Sequence, residues 1–142
     1  MTVKQLSVFI ENRQGRLGEV LNVLKGNDVN ILSISLADTT EYGLLRLIVN
    51  NPERGCEVLL AAGFSSMLTD VLIIKISHIT GRLQEVLSEI TAAGVNIEYM
   101  YGLSVEESDA SIVMKTNELE VACRVLAEHR IDTMTSEEMR SL

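Results

Sequence analysis

Apolar positions alternate imperfectly through VKQLSVFI at 3–10, where Val3, Leu6, Val8 and Ile10 stand among β-formers, and this predicts a strand. NRQG at 12–15 reads as a loop. The period then changes: Leu17, Val20, Leu21 and Leu24 fall at i, i+3, i+4 and i+7, the stripe of an amphipathic helix with its apolar face in a core. GND at 26–28 stops that helix, VNILSISLAD at 29–38 alternates as a strand, TTEYG turns, and LLRLIVN at 44–50 predicts another strand. Pro52 stands near the start of a second helix, where its missing N–H costs little. That helix carries Cys56, Leu59 and Leu60 and ends at Gly63. FSSMLTD is a short final strand that runs straight into VLIIKI at 71–76.

From there the pattern starts again. GRLGEVLNVLKGNDVNI at 15–31 returns as GRLQEVLSEITAAGVNI at 81–97, so a shift of 66 superposes Gly15-Arg16-Leu17 on Gly81-Arg82-Leu83 and Val29-Asn30-Ile31 on Val95-Asn96-Ile97. Leu83, Val86, Leu87 and Ile90 repeat the helical stripe, and Gly94 ends the helix at C′. Further on the shift becomes 67, with Cys56, Val58 and Leu59 meeting Cys123, Val125 and Leu126, so the second copy holds one inserted residue. Two copies are too few for a solenoid. The reading is two domains, 1–69 and 70–142, each with the order β-α-β-β-α-β of the ferredoxin-like split βαβ unit: an α+β fold with helices on one face of an antiparallel sheet. A half of this size is marginal alone and exposes sheet edges. Pairing the halves into one continuous antiparallel sheet answers both problems.

Composition narrows the function classes. The 142 residues are 46% hydrophobic and 23% charged, with a net charge of −8, as in a folded, soluble protein. An acidic surface argues against phosphate backbones and anionic membranes, so neither a nucleic-acid nor a membrane partner is expected. MTVKQLSVFI does not read as a secretory signal, and no stretch is long enough for a membrane span. Cys56 and Cys123 form no CxxC pair. A reducing, cytoplasmic setting follows as the expectation.

The ends of the repeated phrase carry the candidate chemistry. Gly15 and Gly81 open a helix where glycine permits positive φ and close approach to the backbone. The first helical N–H groups lack intrahelical partners and receive carboxylates readily. Asn30 and Asn96 begin the following strand, and an amide there could hold an α-amino or α-carboxylate group. Both features also have a plain reading as turn chemistry. Arg16 and Arg82 lie in the first helical turn, against the dipole, with a solvated arginine as the plain reading.

With strand, GRL loop, amphipathic helix and VNI strand in place, each half resembles an ACT domain, most closely in VLIIKISHITGRLQEVLSEITAAGVNIEYMYGL at 71–103. The tail IDTMTSEEM at 131–139 resembles the end of small tandem-ACT proteins. The resemblance implies binding of a small regulatory ligand, usually an amino acid, at interfaces of paired domains. Contacts come from the first strand-helix loop and from the strand after that helix in a neighbour. Carried onto this chain they fall on Asn12, Gln14, Gly15, Arg16, Leu17 and Asn30, and on His78, Thr80, Gly81, Arg82, Leu83 and Asn96. There are departures. Gln14 and Thr80 stand where the family often has proline, Asn12 meets His78, Asp28 meets Gly94, and Leu32-Ser33-Ile34 meets Glu98-Tyr99-Met100. These differences predict functional asymmetry between the halves.

Catalytic constellations are lacking in the sequence. His78 and His129 have no metal-ligand spacing, and no cofactor motif appears. His129 reads as surface, His78 as a candidate loop residue, Cys56 and Cys123 as buried small hydrophobes, and Glu106 and Glu107 as a solvated turn. The same fold serves RNA binding, but 4% aromatics with Tyr99 and Tyr101 make no stacking platform on a basic surface. The expectation is a non-enzymatic sensor of a free amino acid, without cofactor, read out by a regulated protein. The alternative is a ligand-free interaction module. A homodimer is expected in either case, because LLRLIVN and VLIIKI are apolar on both alternations.

Overall fold

The computed structural model describes residues 2–38, 42–77, 80–105 and 109–142. The expected turn at TTEYG, His78 and the acids Glu106 and Glu107 fall wholly or partly outside these residues. The elements in chain order are β1 (Val3–Glu11), α1 (Arg16–Gly26), β2 (Ile31–Asp38), β3 (Tyr42–Val49), α2 (Pro52–Ala61) and β4 (Ser65–Ser77). There follow α3 (Arg82–Ala92), β5 (Ile97–Val105), β6 (Asp109–Thr116), α4 (Leu119–Glu128), β7 (Asp132–Thr133) and α5 (Ser136–Arg140). The pattern βαββαβ therefore occurs twice, and β4 is a single strand that ends one copy and begins the next. Two compact units form: Lys4–Thr69 with Glu137–Leu142, and Asp70–Ser136 with the start of the chain.

In the first unit β2 pairs antiparallel with β3, and β3 with β1. Leu6, Val8 and Ile10 of β1 and Leu45, Leu47 and Val49 of β3 point to one face, where Val20 and Leu24 of α1 and Val58 and Leu59 of α2 close a core. Burial of each such side chain is worth about 1.5–3 kcal/mol. Gly55 lets α2 approach β1, because a Cβ there would lie 3.1 Å from Leu6. Within the helical stripe Leu17 and Leu21 are only half-buried, and Leu60 of α2 is exposed. Pro52 stands at the first helical position of α2, as the sequence predicts, and Asn51 caps the helix by accepting from the Arg54 N–H.

The second unit repeats this with β5 on β6 and β6 on β4, all antiparallel, and β7 against β4. Its core holds Leu72, Ile74, Ile76, Val86, Ile90, Met114 and Leu126. α1 and α3 end alike. Asp28 at φ 57° takes the left-handed conformation that Gly94 takes at φ 79°, which a short polar side chain tolerates. Cys56 and Cys123 are half-buried at the margins of the two cores, and burial pushes the Cys56 thiol up. His129 closes α4 with Nε2 3.0 Å from Glu89 Oε2. Both alternations of the two very apolar strands are buried: Ile48 as well as Leu47, and Val71 and Ile73 as well as Leu72 and Ile74.

Two features give tests. Thr116 is fully buried, and its hydroxyl finds no hydrogen-bond partner among the described residues. Val49 holds the matching place in the first unit. Thr116→Val removes an unsatisfied hydroxyl at nearly constant shape, so stability rises by about 1 kcal/mol and Tm by about 3 °C, measured by calorimetry. The second is the bond from Arg140 to Glu53, at 2.9 Å. Burial alone would raise the Glu53 carboxyl. Its own backbone N–H, the hydrogen bond and charge of Arg140 and the charge of Lys4 outweigh that and hold it below its ordinary value. A carboxyl depressed in the folded state stabilises above its unfolded pKa, and that contribution is lost as pH falls through the folded value. Arg140→Ala therefore lowers Tm at pH 7, and the loss shrinks as pH falls below the ordinary carboxylate range; a loss that stays constant with pH would mean that packing, not charge, holds α5.

Candidate functional site

Strand β1 must reverse direction to lay α1 back over the sheet, and β4 must do the same for α3. Both turns pass through a glycine in the left-handed region, Gly15 at φ 89° and Gly81 at φ 85°. Each glycine is the residue that caps the helix, and neither helix has a side-chain cap. In α1 the Arg16 N–H donates to the Arg13 carbonyl at 3.4 Å, and the first turn of each helix stands at the positive end of the dipole with no capping side chain. A Cβ on either glycine would meet nothing within 4 Å, so the backbone lies open above the turn.

The arginines that follow are turned back along their helices. Arg16 pairs with Glu19, and its guanidinium sits 4.5 Å from the centre of the Phe64 ring. Arg82 pairs with Glu85 at 3.3 Å, and Ile131 occupies the place that matches Phe64. Arg16 is thereby the more buried of the two, with 18% of its side chain exposed against 34%. Neither stands as a freely solvated cation.

Beside each turn lies a groove on the helix side of the sheet. The first, of about 230 Å³, is lined by Ile10, Glu11, Asn12, Arg13, Leu17, Leu36 and Gly43. The second, of about 720 Å³, is lined chiefly by Ile76, Gly81, Leu83, Leu87, Met100, Tyr101, Gly102, Ala110 and Ile112. Of the residues expected at a site, the first groove gathers Asn12 and Leu17 and the second gathers Gly81 and Leu83. Gln14 and Thr80 are exposed in the loops.

Asn30 and Asn96 lie elsewhere. Helix α1 has 11 residues and is about 16 Å long, with Gly15 at one end and Asn30 beyond the other. Asn30 lines a separate hollow with Lys25 and Asp28. Its backbone is engaged: its N–H donates to Asn50 Oδ1 at 2.9 Å, and the Asn50 N–H donates to its carbonyl at 3.0 Å. Asn96 and Asn117 form the same clamp, at 3.0 and 3.1 Å. Within one unit neither asparagine reaches the glycine loop, and each ties the start of β2 or β5 to the end of the next strand.

The difference between the grooves comes from residues that the loop pattern does not mark. In the first unit Leu36 stands opposite Leu45, Ala37 opposite Leu44 and Asp38 opposite Gly43. In the second Gly102 stands opposite Ile112, and the register then slips before Ser104 pairs with Ser111. The slip is a β-bulge at Leu103, which places the extra residue of the second copy beside the groove. The change of shift from 66 to 67 between Leu36/Gly102 and Gly43/Ala110 was the signal available for finding it. Strand β5 also carries Tyr99 and Tyr101, stacked with ring centres 6.5 Å apart.

This fold has counterparts among known proteins. The family model for an ACT domain pair matches residues 1–142. A solved protein from Bacteroides thetaiotaomicron is similar at 34% identity, over 100% of this chain and 98% of that one, with a TM-score of 0.95. The regulatory subunit of aspartate kinase from Thermus thermophilus, in its ligand-free form, is similar at 18% identity, over 88% and 91% of the two chains, with a TM-score of 0.63. Aspartate kinase from Clostridium acetobutylicum is similar at 12% identity over 88% of this chain and 32% of its own, with a TM-score of 0.52. The last two likenesses show the fold. No curated protein matches the sequence.

The glycine turns can be tested directly. Gly15→Ala and Gly81→Ala each place a Cβ in open space but in a left-handed conformation. Strain alone then costs about 1–2 kcal/mol, seen as a lower urea midpoint with an unchanged slope. An unaltered midpoint would mean that the turn relaxes out of the left-handed region.

Proposed function

This chain belongs to the ACT domain pair family, and from that premise we propose that it is a regulatory protein that senses a free amino acid at a strand-to-helix glycine turn. The observation that carries the reading is the second groove, which opens at Gly81 beside the uncapped start of α3. A carboxylate at the first-turn N–H groups gains hydrogen bonds and the favourable end of the dipole. The rest of the ligand then lies along the groove. The loop residues Asn12, Gln14, Gly15, Arg16 and Leu17, and His78, Thr80, Gly81, Arg82 and Leu83, belong to the two proposed turns. Asn30 and Asn96 take part only if offered to the loop of another domain, as the family pattern has it.

The protein acts without chemistry of its own in this reading: binding changes shape or assembly, and a partner reads the change. Among the described residues no group of three or more His, Cys, Asp or Glu could hold a metal ion. No described helix is long and apolar enough to cross a membrane.

A second reading, association with another copy or with a regulated protein and no ligand, is favoured by one observation. Phe9 and Tyr42 share the face of the first unit's sheet that lies away from its helices and are each about half exposed, and exposed apolar side chains on one face mark interaction surfaces.

A thermal-shift screen of the common amino acids separates the two. A ligand at about a hundred times its Kd adds about 2.7 kcal/mol, or roughly 5–10 °C in a chain of this size. One amino acid or one chemical group of them should stand out, with calorimetry confirming the affinity. No shift from any amino acid on a folded sample overturns the sensor reading, and sedimentation equilibrium then tests association.

A further inference from the structure

The two units are copies, yet their grooves differ threefold in volume, about 230 against 720 Å³. Ligand pockets occupy roughly 300–1,000 Å³, so the second groove lies within that range and the first below it. A paired exchange of residues accounts for the contrast. In the first unit Leu36 leans over Gly43 so closely that a Cβ at Gly43 would meet Leu36 Cδ1 at 3.2 Å and Ile10 Cγ1 at 3.2 Å. The leucine narrows the groove, and a side chain at Gly43 would have to displace it by a few tenths of an ångström.

In the second unit the leucine is replaced by Gly102 and the glycine by Ala110. A Cβ at Gly102 would meet nothing within 4 Å. The space over the strand is open, and Ile112 is half-buried where Leu45, its counterpart, is fully buried. The bulge at Leu103 follows immediately, and bulges bend a strand and re-aim its side chains. Deletion of a side chain and insertion of a residue thus fall together at one groove and at neither end of the other.

The walls of the open groove are Leu83, Leu87, Met100 and Ile112, with Gly81 at its rim. Such walls favour an apolar body and penalise a buried charge or an unpaired polar group. At the rim the uncapped first turn of α3 suits a carboxylate. Resting on the amino-acid reading above, we propose that the second unit alone takes the ligand, that the ligand is an amino acid with a large apolar side chain, and that Gly102 sets this specificity by leaving room for it. Leu36 does the opposite in the first unit: it stands where the ligand side chain would go.

The test uses the full chain and titration calorimetry with leucine, isoleucine, methionine and phenylalanine against glycine, serine, aspartate and lysine. The expected result is binding of one or more of the apolar four at one ligand per chain, at least tenfold tighter than any of the others. Gly102→Leu is expected to weaken that binding at least tenfold, and Gly102→Ala to weaken it less. Gly102 is outside the left-handed region and unobstructed, so both variants should fold, which far-UV circular dichroism and Tm check.

Preference for a small or charged amino acid, two ligands per chain, or unchanged affinity in Gly102→Leu overturns this inference and leaves the sensor reading standing. Failure of every amino acid to bind overturns both. A change in sedimentation mass in Gly102→Leu without a change in affinity shows the groove to be a protein interface, and the inference falls.

Discussion

The reversal from strand to helix at Gly15 and Gly81 is the constraint on which each unit depends. A helix can cover the sheet only if the chain turns sharply at the end of the strand, and the turn used needs a left-handed residue. That choice fixes the direction of the helix and so places Val20 and Leu24, or Val86 and Ile90, over the alternating side chains beneath. It also leaves the helix without a capping side chain. The same turn that assembles the core therefore leaves a helix start without a capping side chain beside an apolar groove, and structure and candidate function share one cause.

Most of the fold was legible in the sequence because it is written in periods. A change from alternation to a 3.6-residue repeat marks every strand-to-helix passage, and the second copy says so again. Pro52, Gly63 and Gly94 punctuate as their backbone chemistry requires. Boundaries moved where hydrogen bonds outside the pattern decide them. Strand β2 starts at Ile31 and not at Val29, because the Val29 N–H is held by the Leu24 carbonyl at the end of α1 and Asn30 by the Asn50 clamp.

The candidate site was legible only in its loops. Gly81 and Leu83 could be found because they are repeated, whereas Gly102 could not be recognised by repetition: its importance lies in differing from Leu36. Seeing that difference requires the cross-strand register, which shows Gly102 over Ile112 and Leu36 over Leu45. The asparagines show a second use of repetition. Their recurrence accompanies a backbone clamp, since a duplicated strand end needs the same fastening twice. Likeness between copies marks what the fold requires, and divergence between them marks where one copy was free to do something else.

Strand β4 carries a consequence of its own. Leu68 packs on the first core and Leu72, Ile74 and Ile76 on the second, all at even positions of one unbroken strand with no linker. Side chains on a strand alternate, so one residue added or lost within it would turn every later position of the strand over. The single residue that distinguishes the copies lodged instead in β5, as a bulge, the kind of place where an odd residue can be absorbed without inverting a core. In a duplicated chain joined by a shared strand, length variation is thereby channelled away from the junction and toward the groove.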